Sequence, residues 1–284
     1  MSSPNAAIQP DSSGTALWRA QLMGLLRSEV RKGFVGGRAL MLYLLAAMPV
    51  ALALLVAIVL YLFPEEQEDL GSVSIAFAAA FQAFVIQVLV FVGCLLVFTS
   101  LFRGEMLQRS MHYYFLCPVR RELLVVGKYL AGQIAAFSIF GISVLLSYVL
   151  TFLPYGGRGI EYLTVSPGLG HVFAYLGVTA LACLGYGAVF LLVGLIFRNP
   201  IIPGILIFFW ESLNPFMPAV LQKISVIHYL ISLCPVPAQS SSIRVIADPA
   251  SGWFSVPGIL LVTTALLYIV ALRLRHTEIS YGGD

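Results

Sequence analysis

Long stretches without a charged side chain constrain this sequence more than any other feature. Residues 39–63, 73–101 and 169–197 carry no Asp, Glu, Lys or Arg; 123–153 carries only Lys128, close enough to its start to snorkel to the interface, and is followed by a Pro/Gly-rich loop from Pro154 to Gly170. Each run exceeds the roughly 18 residues at which an apolar helix becomes long enough to cross a bilayer. A last run covers about 256–272, whereas 201–213 is interrupted by Asn214, Pro215 and Pro218 and resumes over 219–234 with Lys223 and His228 inside. Hydrophobic residues make up 60% of the 284 residues and charged residues 10%, and the mean hydropathy is +0.94. That leaves too little polar surface to coat a water-soluble globule, which excludes soluble enzymes, coiled coils and disordered chains. The fold expected is an all-α integral membrane protein. It has six transmembrane helices, an N-terminal amphipathic interfacial helix, and a broken or re-entrant segment between spans five and six.

The domain organisation follows the charges. Residues 1–14 form a polar leader, and with the first long apolar run starting only near 39, a cleavable signal peptide is not expected. Residues 15–38 place Leu17, Leu22, Leu25, Leu26 and Val30 near helical spacing among Arg19, Arg27, Arg31 and Lys32. The pattern fits a helix lying on the cytoplasmic membrane surface, or an ordinary solvated helix ahead of the first span. Residues 39–284 form the six-helix transmembrane domain, with a cytoplasmic loop at 102–128 and an external re-entrant region at 214–252. With the N-terminus inside and six spans, 13 of the 16 basic residues fall on the cytoplasmic side. Only Arg158, Lys223 and Arg244 fall outside, and both termini are cytoplasmic. A net charge of +3 gives no case for nucleic acid.

Few side chains inside the apolar runs are suited to chemistry. Glu211, in FFWESLNPF, is an intramembrane carboxyl and so a functional candidate; the alternative is an interfacial group hydrogen-bonded to Asn214 or Ser212. Gln82 and Gln87 in span two and Gln133, Ser143 and Ser147 in span three either line a polar substrate route or join helices by hydrogen bonds. Small residues at Gly127, Ala131 and Ala135, and at Cys183 and Gly187, fit close helix packing or a dimer seam. Four scattered cysteines and four histidines supply no metal or haem spacing, and hydrolase signatures are missing as well.

The loop 102–128 reads FRGEMLQRSMHYYFLCPVRRELLVVGK. It is too rich in Leu, Tyr and Phe for a passive linker, and must cover its apolar side chains against a partner protein or by packing two helix extensions on each other. Glu105 comes first, then an apolar stretch to Leu116, then Pro118, Val119 and Arg121, Leu124, and Gly127-Lys128 entering the third span. This order resembles the intracellular loop in the membrane subunits of type-2 ABC exporters. The resemblance extends over the chain: a basic surface helix, six spans, an interrupted external segment and a short basic tail. It departs at 109–114, where the family commonly has small residues.

The resemblance implies a coupling helix seated in a groove of a separate ATPase. Glu105, Arg109, Arg120 and Arg121 would set register by charge pairing at the rim, while Tyr113, Tyr114 and Leu116 supply contact area. Pro118 would form a rigid corner beside Val119. It further implies two cytoplasmic ATPase subunits holding ATP and Mg, a second permease subunit (this chain or a close relative), and a plasma (inner) membrane location. Nothing here matches G-x-x-x-x-G-K-[ST], since Gly127-Lys128 is followed by Tyr129. The expected function is therefore transport, with no enzymatic activity and no cofactor on this chain. The alternative is a stand-alone secondary transporter with Glu211 as its ion-coupling carboxyl.

Overall fold

A computed structural model describes residues 23–24, 26–31, 33–34, 37–107, 121–165, 167–223, 225–236 and 251–276, and every regular element among them is helical. Five helices are long and apolar enough to cross a membrane, as a multi-pass membrane protein requires. The first is α1 (Gly37–Leu62). The second is built from α2 (Leu70–Ala80), a π-helical segment (Phe81–Val90) and α3 (Phe91–Leu107). The others are α4 (Arg121–Phe152), α6 (Gly168–Ile196) and α10 (Gly252–His276). Between α6 and α10 lie α7 (Ile201–Leu213), α8 (Ala219–Gln222) and α9 (Val226–Ser232). At 13 residues, α7 rises only about 20 Å, short of a hydrocarbon core of about 30 Å.

The core follows the small residues of α6. This helix packs on α3, α4 and α10, while α1 packs mainly on α4. Accordingly 61% of the apolar window of α6 is buried within the chain, against 28% for α1 and 22% for α10. Gly187 leaves the space filled by the Phe98 ring and the Gln133 amide. At Gly194 a Cβ would stand 2.7 Å from the Thr99 Cα and 2.9 Å from its carbonyl oxygen, so this pair of backbones touches without side chains between them. Gly194→Ala should therefore force α3 and α6 apart, with a loss of about 1–3 kcal/mol. A fall in the melting temperature of the detergent-solubilised protein measures it, and an unchanged value would mean that the two helices do not meet there.

Two local features depart from the sequence reading. The segment expected as a Pro/Gly-rich loop from Pro154 to Gly170 contains a helix, α5 (Gly156–Thr164). Gly156, at φ 59°, turns the chain in the left-handed region that favours glycine, and Tyr162 and Leu163 then pack against the core. The second feature is the π-helical winding of Phe81–Val90. Its hydrogen bonds close from i to i+5, which brings Gln82 and Gln87 about one turn apart, a relation that α-helical spacing does not give.

Candidate functional site

The site is a break in the apolar helical run, closed by a single carboxylate. Glu211, on the last turn of α7, is 4% exposed. Its Oε2 accepts from Ser225 Oγ at 2.7 Å, from Ile227 N at 2.9 Å and from Tyr186 Oη at 3.2 Å, and its Oε1 accepts from Val226 N at 3.3 Å. Ser225 is the N-cap of α9, so the carboxylate satisfies N–H groups that a helix start leaves without partners and complements the positive end of its dipole. In place of the alternative bond to Asn214 or Ser212 stands this bridge, because the chain reverses through 214–225 and returns the start of α9 to the end of α7. The side chains of that reversal satisfy one another's backbone. Asn214 Nδ2 donates to the Gln222 carbonyl at 3.1 Å, Gln222 Nε2 to Met217 at 2.8 Å, and Tyr229 Oη to Lys223 at 2.8 Å. Irregular backbone among apolar helices needs such partners.

The break is fixed against α6. Tyr186 bonds Glu211, and one residue earlier Gly185 lets Val226 approach to within 3.0 Å of where its own Cβ would stand. Further along, Gln82 Nε2 donates to the Val236 carbonyl at 3.1 Å, tying the π-helical segment to the residues after α9.

The other polar residues expected along a substrate route do not converge on Glu211. Gln133 Nε2 donates to the Cys183 carbonyl at 2.7 Å, joining α4 to α6. Ser143 Oγ donates to the Ala46 carbonyl, joining α4 to α1 one residue beyond Leu45, whose carbonyl lacks an intrahelical donor because Pro49 has no N–H. Ser147 returns its proton to the Ser143 carbonyl at 2.8 Å. Gln87 is half-buried. Gln82, Gln133 and Ser143 thus sit in three separate contacts between elements of the chain. The small-residue positions likewise serve contacts within the chain: Ala135 faces Gly33 and Gly187 faces Phe98.

Among the residues assigned to coupling, Arg109, Tyr113, Tyr114, Leu116, Pro118, Val119 and Arg120 lie outside the described residues. Glu105 falls within α3 and Arg121 begins α4. Gly127 is buried, and Lys128, expected to reach the membrane interface, has 0% exposure. Lys128 Nζ donates to Glu29 Oε1 at 3.2 Å and to the Leu101 carbonyl at 3.5 Å. One cation therefore joins the N-terminal helical segment, α3 and α4 where the 102–128 loop leaves and returns. A second contact in register, Gly33 on Ala135, lays the N-terminal segment along α4. Sequence reasoning passed over Glu29, because an acidic residue among arginines on a surface helix reads as solvated, and nothing along the chain points from it to a lysine 99 positions away.

No family model, curated protein or solved structure matches this chain. The arrangement itself must suggest the chemistry. Among the described residues no group of three His, Cys, Asp or Glu side chains converges as a metal site would require. His228 Nε2 and Tyr175 Oη are buried with no hydrogen-bond partner there. The geometry shows a carboxylate that holds two helix ends together at a point where the backbone is interrupted.

Proposed function

We propose that this chain is the permease subunit of an ATP-binding-cassette exporter, working with a second permease subunit and two cytoplasmic ATPase subunits that hold ATP and Mg. The observation carrying the reading is the residue order Glu105, Leu116, Pro118-Val119, Arg121, Gly127-Lys128, from the end of the second long apolar helix into the start of the third. On this reading α7 and α9 are two halves of one crossing. Thirteen residues and seven residues rise about 20 and 10 Å, together the thickness of the hydrocarbon core. That brings the crossings to six and both termini to the cytoplasmic face of the plasma membrane, in keeping with the 13 basic residues on that side. Movement of the 102–128 loop would reach the membrane helices through α3 and α4, where Lys128 links both to Glu29.

A stand-alone transporter would require Glu211 to exchange an ion. Its four donors all belong to the chain's own α6 and α9 regions, which supports the first reading.

The test is affinity purification of the tagged chain from its native membrane. A P-loop ATPase should accompany the wild type and be lost with Leu116→Asp, since an unpaired carboxylate in an apolar groove costs several kcal/mol. Arg121→Glu, at the rim, should weaken the association less. Equal recovery of the ATPase with Leu116→Asp would remove the loop as a docking surface.

A further inference from the structure

The cleft between the first and second long helices has no part in the coupling reading. α1 and α2 both lean on α4 but hardly on each other, and the space between them holds about 340 Å³, enough for a small ligand. One wall is α1 from Pro49 to Leu60; the opposite wall is Val73, Phe77 and the π-helical Phe84. The span from Pro49 to Leu60 rises about 16 Å, roughly half the thickness of a hydrocarbon core of about 30 Å. It runs from mid-helix to the turn at 63–69, where Gln67 Nε2 bonds the Leu60 and Pro154 carbonyls.

The floor and mouth give the cleft a direction. Ser147, Thr151 and Tyr155 line it at four-residue intervals, approaching the turn, and Glu68 stands at the mouth. Ser147 and Thr151 each donate to the carbonyl one turn back, so their hydroxyl protons are taken up within the helix and not offered to the cleft. Glu68 is exposed and has neither an ion-pair nor a hydrogen-bond partner among the described residues. The cleft is thus apolar for the depth of one leaflet and ends at an unpaired anion.

We propose that this cleft binds a single-chain amphiphile with an ammonium head group, its alkyl chain lying between α1 and α2 and its head group on Glu68. The occupant reaches the cleft from the bilayer, and the site stands whether or not the chain works with an ATPase. An alkyl amine is protonated at neutral pH, as a lysine side chain is, and complements the carboxylate; an anionic head would be repelled.

Native mass spectrometry of the full chain in dodecyl maltoside would measure binding of dodecylamine against dodecanol, which has the same chain length and no charge. The expected result is a preference of about fivefold for the amine, the ratio one partly exposed ion pair supports. Glu68→Gln should abolish that preference and leave dodecanol binding as it was. Ala53→Phe and Ala76→Phe fill the cleft from opposite walls, and each should reduce binding of both ligands. An amine preference that survives Glu68→Gln overturns the proposal, as do correctly folded Ala53→Phe and Ala76→Phe variants that bind both ligands like the wild type. A second copy seated in the cleft would appear as a dimer that binds neither ligand, and that result overturns it too.

Discussion

Lys128→Met should destabilise the protein, by up to about 3–5 kcal/mol, because it removes a cation that stands 3.2 Å from the buried Glu29 carboxylate. Both side chains are almost completely enclosed, at 0% and 4% exposure, with 3.2 Å between Nζ and Oε1. Neither charge has enough contact with water to recover its hydration once the other is gone. Glu29→Gln should be milder, since the amide oxygen can still accept from Lys128. The double replacement Glu29→Leu with Lys128→Met should recover most of the loss, because an apolar pair of similar volume replaces two charges that were both costly to bury. Thermal melting in detergent of the wild type, Glu29→Leu, Lys128→Met and the double variant, arranged as a double-mutant cycle, gives the coupling directly. Additive losses would mean that Lys128 is held by something other than Glu29. On the permease reading the Lys128 variant should also separate ATP hydrolysis from transport while the ATPase still binds, because the residue lies at the root of the loop and is hidden from a docking partner.

Glu211→Ala should have an effect of similar size, about 3–5 kcal/mol, for a different reason. It strands donors that one carboxylate now serves: the Ser225 and Tyr186 hydroxyls and the N–H groups of Val226 and Ile227. Buried donors without acceptors cost about 1–3 kcal/mol each, and neighbouring losses do not simply add. Glu211→Gln can place its oxygen where Oε2 stands and keep three of the four bonds, turning an amide N–H₂ only toward Val226. It should cost about 1–2 kcal/mol. The graded pair, measured as melting temperature beside transport, separates the two roles of this residue. A cap tolerates Gln in transport and its pH dependence but not Ala, whereas an ion-coupling carboxyl loses coupling with Gln at wild-type stability.

The apolar runs marked all five long helices to within a few residues, because a bilayer-crossing helix must be apolar over its full length and that requirement is written locally. The interruption at Asn214, Pro215 and Pro218 was legible for the same reason. Local sequence could not show what closes it. Glu211 and Ile227 are 16 residues apart, and on spacing alone several nearer polar groups were equal candidates to partner the carboxylate. The helix at 156–164, inside the expected Pro154–Gly170 loop, was missed because Gly and Pro, which usually mark turns, here stand at the start of a short helix packed on the core.

The sequence by itself determined that this chain is helical and apolar enough for a membrane, and where each long helix runs. It also supplied the loop whose residue order carries the functional proposal. The tertiary structure alone decided which buried polar groups meet. Lys128 with Glu29, separated by 99 positions, Gln82 with Val236, separated by 154, and Ser143 with Ala46, separated by 97, are set by helix packing. A hydrogen bond needs its partners within about 3 Å, and that distance depends on how helices cross, which hydrophobic periodicity along one helix does not specify.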